Sequence, residues 1–164
     1  MSSESLASNT DVTPPTFHGS HSRKVDAKGR FHLPFQFRSP RGEDEPEDGE
    51  SREKYMLSPG PDGSAALSPY EVWLDRFNDR PEGLSKREHI RNQRLMSLNS
   101  HMLTPDKHGR VALPAKVKEA LGVDKEVVVV GMGLHMELWS ADRVVGGGAA
   151  DQVPSDDYLY DFFG

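Results

Sequence analysis

One short phrase occurs twice in this chain and narrows the available folds more than any other feature. Asp26-Ala-Lys-Gly-Arg-Phe-His-Leu-Pro34 is matched by Asp106-Lys-His-Gly-Arg-Val-Ala-Leu-Pro114, so that Asp, Gly, Arg, Leu and Pro each sit 80 residues from a twin. At average residue usage, five identities in fixed spacing arise by chance roughly once in a million trials. A repeated supersecondary unit with basic residues at a turn accounts for it.

Within each copy, Gly29 or Gly109 directly before the arginine marks a turn in which glycine supplies a positive φ. Phe31-His-Leu33 and Val111-Ala-Leu113 alternate as outgoing strands, and Pro34 and Pro114 end them. After Pro114 the pattern predicts a short helix over 115–121 with Gly122 as its C-terminal cap, and a shorter counterpart over 34–38. The valine run at 126–130 reads as a strand buried on both faces, followed by a strand over 135–139; residues 55–57 and 65–67 take those parts in the first half. Ser68-Pro-Tyr-Glu71 and Ser85-Lys-Arg-Glu88 each have the form of a capping box and predict two helices between the halves.

Three stretches read as lying outside the packed unit. Residues 1–16 form a polar, disordered lead; residues 40–54 form an acidic, solvated insertion; and residues 146–164 form a disordered acidic and aromatic tail. About 114 residues remain, with the first repeat at 17–80, a linking helix at 81–100 and the second repeat at 101–145. Two independent modules of fewer than about 60 residues would each have a marginal core. A mainly β fold with short helices, in which two similar halves share one core, is therefore expected.

The formal net charge of −6 argues at first against a polyanionic partner. Its distribution reverses that impression. The insertion and the tail carry −4 each, whereas residues 17–39 carry +4 and residues 104–118 carry +3. Local potential, more than the chain total, governs association with nucleic acid. With no cysteine in the chain, disulfide frameworks and thiolate metal sites are excluded. The first fifteen residues lack the basic start and apolar middle of a secretory signal, and no apolar run approaches membrane-spanning length, so a cytoplasmic protein is expected.

Two readings fit the repeated motif. In one it is a hairpin turn whose Asp and Arg pair on the surface, worth less than about 1 kcal/mol. In the other it is a rigid loop presenting Lys28, Arg30, Lys107 and Arg110 to a nucleic acid, with Asp26 and Asp106 fixing the arginine rotamers. An arginine can fork onto guanine O6 and N7, while a lysine holds a phosphate. His18-Gly-Ser-His21 has the makings of half a metal site, although no acid or cysteine lies near it at ligand spacing. In the tail, Tyr158-Leu-Tyr-Asp-Phe-Phe163 reads as a mobile segment or a short docking peptide.

The motif pair resembles the Asp-x-x-x-Arg signature of the MraZ family, which is built on the AbrB-like swapped-hairpin fold. The similarity runs over about residues 17–143. It begins at Phe17-His-Gly and includes both repeated phrases, then closes on Gly122-Val-Asp-Lys-Glu-Val-Val-Val-Val-Gly-Met-Gly and Glu137-Leu-Trp139. Departures are the acidic insertion, His18 at a usual arginine, and the glycines that cut short the last helix. The resemblance implies swapped-hairpin β-barrel halves related by a pseudo-two-fold axis. It also implies a non-enzymatic, nucleoid-associated transcriptional regulator, expected to act as a repressor at the promoter of the division and cell-wall gene cluster. Short G-rich direct repeats in double-stranded DNA would meet Lys28, Gly29, Arg30, Lys107, Gly109 and Arg110 of a ring-like homo-oligomer, with no cofactor or metal. An AbrB-like antitoxin is the nearer alternative, and a small metal-dependent hydrolase using His18 and His21 the remoter one.

Overall fold

In a computed structural model, the described residues are 16–38, 53–146 and 153–164. Most of the expected lead, nearly all of the acidic insertion and the start of the expected tail lie outside them. Eight strands and five helices follow in chain order: β1 (Ser20–Lys24), β2 (Arg30–His32), β3 (Tyr55–Pro59), β4 (Ala65–Pro69), α1 (Tyr70–Asn78), α2 (Lys86–Leu98), β5 (His101–Leu103), β6 (Arg110–Ala112), α3 (Ala115–Leu121), β7 (Glu126–Gly131), β8 (Met136–Ser140), α4 (Ala141–Gly146) and α5 (Asp156–Phe163). A 3₁₀ turn at Phe35–Phe37 stands where α3 stands in the second half.

Six strands form one antiparallel sheet in the order β1-β7-β8-β4-β3-β5, and β2 and β6 form a separate two-stranded ribbon. The order shows an exchange. β1 precedes the first motif but pairs with β7 after the second motif, and β5 precedes the second motif but pairs with β3 after the first. Each half therefore completes the other's sheet, which is how two short repeats come to share one core. Val127 and Val129 in β7, Leu67 in β4, and Met136 and Leu138 in β8 are wholly buried there. Burying a side chain of this size stabilises by about 1.5–3 kcal/mol. The valine run is buried at three successive positions, Val127 to Val129, as expected of a strand covered on both faces. Phe17 bonds reciprocally to Gly133 (N–H to O, 2.7 and 2.8 Å) and sets its ring edge-on to Phe37, at 5.4 Å between centroids.

The two expected helix starts have different outcomes. At Ser85 the capping box forms: Glu88 N–H donates to Ser85 Oγ at 3.1 Å and Ser85 N–H donates to Glu88 Oε2 at 3.3 Å. At Ser68 it does not. Strand β4 runs on through Ser68, which is buried opposite Met56, and the helix begins only at Tyr70. There the first free N–H is satisfied by another strand's end, since Tyr70 N–H donates to the Lys54 carbonyl at 2.9 Å.

The tail also departs from its expectation of disorder. Asp156–Phe163 forms a helix, with Tyr158 N–H donating to Ser155 Oγ at 3.3 Å and two aspartates in its first turn, where the helix dipole favours them.

Candidate functional site

The two repeated turns have nearly the same construction. Asp26 Oδ1 accepts the backbone N–H groups of Lys28 and Arg30, both at 2.9 Å, and Oδ2 accepts Arg30 Nε–H at 2.8 Å. Asp106 Oδ1 likewise accepts from His108 and Arg110, both at 2.9 Å, and Oδ2 accepts Arg110 Nε–H at 2.9 Å. One carboxylate thus closes the turn and fixes the arginine that follows it. Hydrogen bonds from the Arg30 backbone and side chain and from Lys28 hold the Asp26 carboxyl below its usual range, against partial burial. Burial works against ionisation of Asp106 too, but bonds from the backbones of Arg110 and His108 and from the Arg110 side chain outweigh it, and this carboxyl is also held low. Both braces are therefore ionised at neutral pH.

Gly29 and Gly109 complete the turns, each at φ +79°. Their surroundings differ. A Cβ on Gly29 would stand 2.8 Å from the Leu113 carbonyl oxygen, whereas one on Gly109 would stand 2.5 Å from Arg38 Nη1. Alanine at either position is strained by the left-handed backbone, at a cost of order 1–3 kcal/mol. A backbone carbonyl cannot move aside, whereas the Arg38 tip gives way at the expense of its packing on the turn, so Gly29→Ala is expected to lower the melting temperature more than Gly109→Ala. Equal melting temperatures would show that the Leu113 backbone yields as readily as the arginine.

Strands β2 and β6 bring the turns together. Leu33 N–H donates to the Gly109 carbonyl at 3.1 Å and Leu113 N–H to the Gly29 carbonyl at 2.9 Å, so each motif's strand binds the other motif's turn. Phe31 and Val111 face each other from the buried side of the ribbon. By strand alternation, Arg30 and His32 and their opposites Ala112 and Arg110 take the other side. Arg30 and Arg110 are diagonal neighbours there, a relation that sets residues about 7–8 Å apart. Two guanidinium groups are thus confined to one small, partly exposed face, each committed to its aspartate through Nε. Such an arrangement is matched by a partner carrying closely spaced anions or paired acceptors. Lys28 and Lys107 are exposed in the turns beside it.

Sequence reasoning treated Arg38 only as one more basic residue, but it belongs to this region. Its Nη2 donates to Glu53 Oε1 at 3.3 Å, and Tyr55 Oη donates to Glu53 Oε2 at 2.7 Å. Burial, and then the Glu53 carboxylate, push the Tyr55 phenol above its ordinary range and keep it a donor. No local pattern marks this cluster; only the 80-residue offset that pairs Arg38 with Lys118 hints at it.

The histidine pair takes another place. His18 is exposed ahead of β1, while His21 sets its ring edge-on to Phe37 at 5.1 Å. Among the described residues no three His, Cys, Asp or Glu side chains gather as a metal site would require, and no helix is long and apolar enough to cross a membrane.

Comparison with known proteins gives this geometry a family. A family model described as "MraZ protein, putative antitoxin-like" matches residues 96–143. The transcriptional regulator MraZ of Cutibacterium acnes is 33% identical over 126 residues, covering 76% of this chain and 82% of that protein. Its namesake from Carboxydothermus hydrogenoformans is 31% identical over 129 residues (77% and 82%), and that from Lachnoclostridium phytofermentans 30% identical over 128 (77% and 83%). The name these relatives share is that of a transcriptional regulator and not of an enzyme. The chain, with its two aspartate-braced arginine turns on one ribbon, belongs to the MraZ family of transcriptional regulators.

Proposed function

We propose that this protein is a sequence-specific DNA-binding repressor that occupies the promoter of the division and cell-wall gene cluster. The observation that carries this reading is the pairing of β2 with β6, which sets Arg30 and Arg110 diagonally on one face with their rotamers already held by Asp26 and Asp106. Holding an arginine before it binds lowers the ordering entropy lost on recognition. Short G-rich direct repeats in double-stranded DNA suit this face, because guanine offers O6 and N7 to a forked donor in the major groove. Lys28 and Lys107 fit phosphate contacts on either side. Residues 17–80 and 101–145 act as the two halves of the recognition unit, joined through 81–100. Footprinting on the fragment upstream of the protein's own gene tests the reading: protection over repeated G-rich elements supports it, and uniform, salt-sensitive binding without protection overturns sequence specificity.

The working form is a ring-like homo-oligomer. Strands β1 and β5 end the six-stranded sheet with edges that no strand covers among the described residues, and Phe35, Leu98, Met102 and Met132 are exposed apolar side chains in a small chain. Open edges and apolar surface of this kind call for cover by neighbouring subunits. Light scattering at micromolar concentration should give a species larger than a dimer; a monomer would remove the ring from the reading. An antitoxin reading has one observation in its favour, the antitoxin-like description of the matching family model. Copurification of a toxin encoded next door, bound through the exposed aromatics of α5, would favour it.

A further inference from the structure

Arg38 lies just before the acidic insertion and Glu53 next to its last residue, and their ion pair closes its base. Both side chains are largely buried, at 14% and 9% exposure. The guanidinium does more than pair. Its Nη1 occupies the space a side chain on Gly109 would need, and Cζ and Cδ line the same spot at 3.4 and 3.6 Å from that Cβ position. Arg38 Nε is buried with no hydrogen-bond partner among the described residues. An arginine held at that cost is fixed by what surrounds it, here Glu53 on one side and the Gly109 turn on the other.

Among the described residues the first turn has no such support. Gly29 rests on the Leu113 backbone. Lys118, 80 residues beyond Arg38, lines an open cleft with Asp26, Ala27, Asp124 and Glu126. Each turn thus has a cation from the other half nearby, but among the described residues only the second has one locked to a buried carboxylate at the foot of the insertion.

We propose that Arg38 is a positioning residue for the Arg110 turn, and that its ion pair with Glu53 couples the acidic insertion to that turn and not to the Arg30 turn. This inference rests on the DNA-binding reading for its consequence, but not for its geometry.

Two measurements on the full-length protein separate the two. Backbone hydrogen exchange without DNA compares the segments 104–112 and 24–32 in the wild type, Arg38→Met, Arg38→Lys and Glu53→Gln. Arg38→Met and Glu53→Gln should speed exchange in 104–112 and leave 24–32 unchanged. Arg38→Lys keeps the charge against Glu53 and should restore part of the protection. Affinity for a G-rich repeat fragment should fall about ten-fold in Arg38→Met, the scale of one misplaced hydrogen-bonding group, and recover in part with Arg38→Lys. Unchanged exchange in 104–112, or equal acceleration in both segments, overturns the strut. Faster exchange in 104–112 with wild-type affinity overturns the positioning role. If the wild type itself shows no preference for the repeats, the DNA-binding reading fails, and the exchange pattern still decides whether Arg38 holds the turn.

Discussion

Arg30→Ala should lose about 1–3 kcal/mol of affinity for the matched site and relax the preference at a single base. The reason lies in how Asp26 uses the side chain. Oδ2 accepts from Nε at 2.8 Å, and Oδ1 is taken up by the backbone N–H groups of Lys28 and Arg30. The carboxylate therefore holds the guanidinium by its near end, through Nε. Arg30→Lys should rescue little, because a point charge does not reproduce two parallel donors. Lys28→Ala should weaken binding to every sequence alike and lower the slope of log affinity against log salt by about one. Stability should change little in these variants, since a partly exposed ion pair contributes less than about 1 kcal/mol. Binding of each variant to matched and scrambled repeats, beside its melting temperature, gives the result. Wild-type binding by Arg30→Ala, or loss of its fold, would make the arginine a structural turn residue. Arg110→Ala should behave in the same way, because Asp106 holds Arg110 with the same set of bonds.

The braced turn was legible in the sequence because everything that builds it is local. Asp, Gly and Arg lie within five residues of one another, and the chemistry of a carboxylate beside free N–H groups leaves few arrangements. The valine run was legible for a similar reason, since four successive apolar β-branched residues suit a strand buried on both faces. Strand exchange entered only through the resemblance to a swapped-hairpin fold, and not from the residues themselves. Alternation in β1 and β5 tells which side chains face inward, but carries no information on which strand lies alongside. That was decided by whole-chain packing, which placed β1 on β7 and β5 on β3. Ser68 was misread because a capping box and a strand end look alike when the competing acceptor, the Lys54 carbonyl that takes Tyr70 N–H, lies sixteen residues upstream of the helix. Arg38 was missed because its role depends on Glu53 and Gly109, which are distant in sequence and brought to it only by the fold.

Phe31→Ala should be the most destabilising of these substitutions, although Phe31 adjoins Arg30 in the chain. It is 1% exposed and lies opposite Val111, itself 2% exposed, where the ribbon rests on the shared core. Truncating a buried phenylalanine costs about 3–5 kcal/mol, because the transfer free energy of the ring is lost and the surrounding side chains fill the cavity only in part. For a chain of this size that corresponds to a fall of roughly ten degrees or more in melting temperature. The damage should not stay in the first half. β2 and β6 are each other's partners within the ribbon, and Leu33 and Leu113 carry the cross-bonds to the opposite turns. Loosening one strand therefore loosens both turns, and hydrogen exchange should accelerate in 24–32 and 104–112 together. Binding to matched and scrambled DNA should fall in parallel, in contrast to the selective loss expected at Arg30. If Phe31→Ala melted like the wild type, the ribbon would be an appendage to the core. The fixed diagonal placement of Arg30 and Arg110, on which recognition by this face depends, would then have no mechanical support.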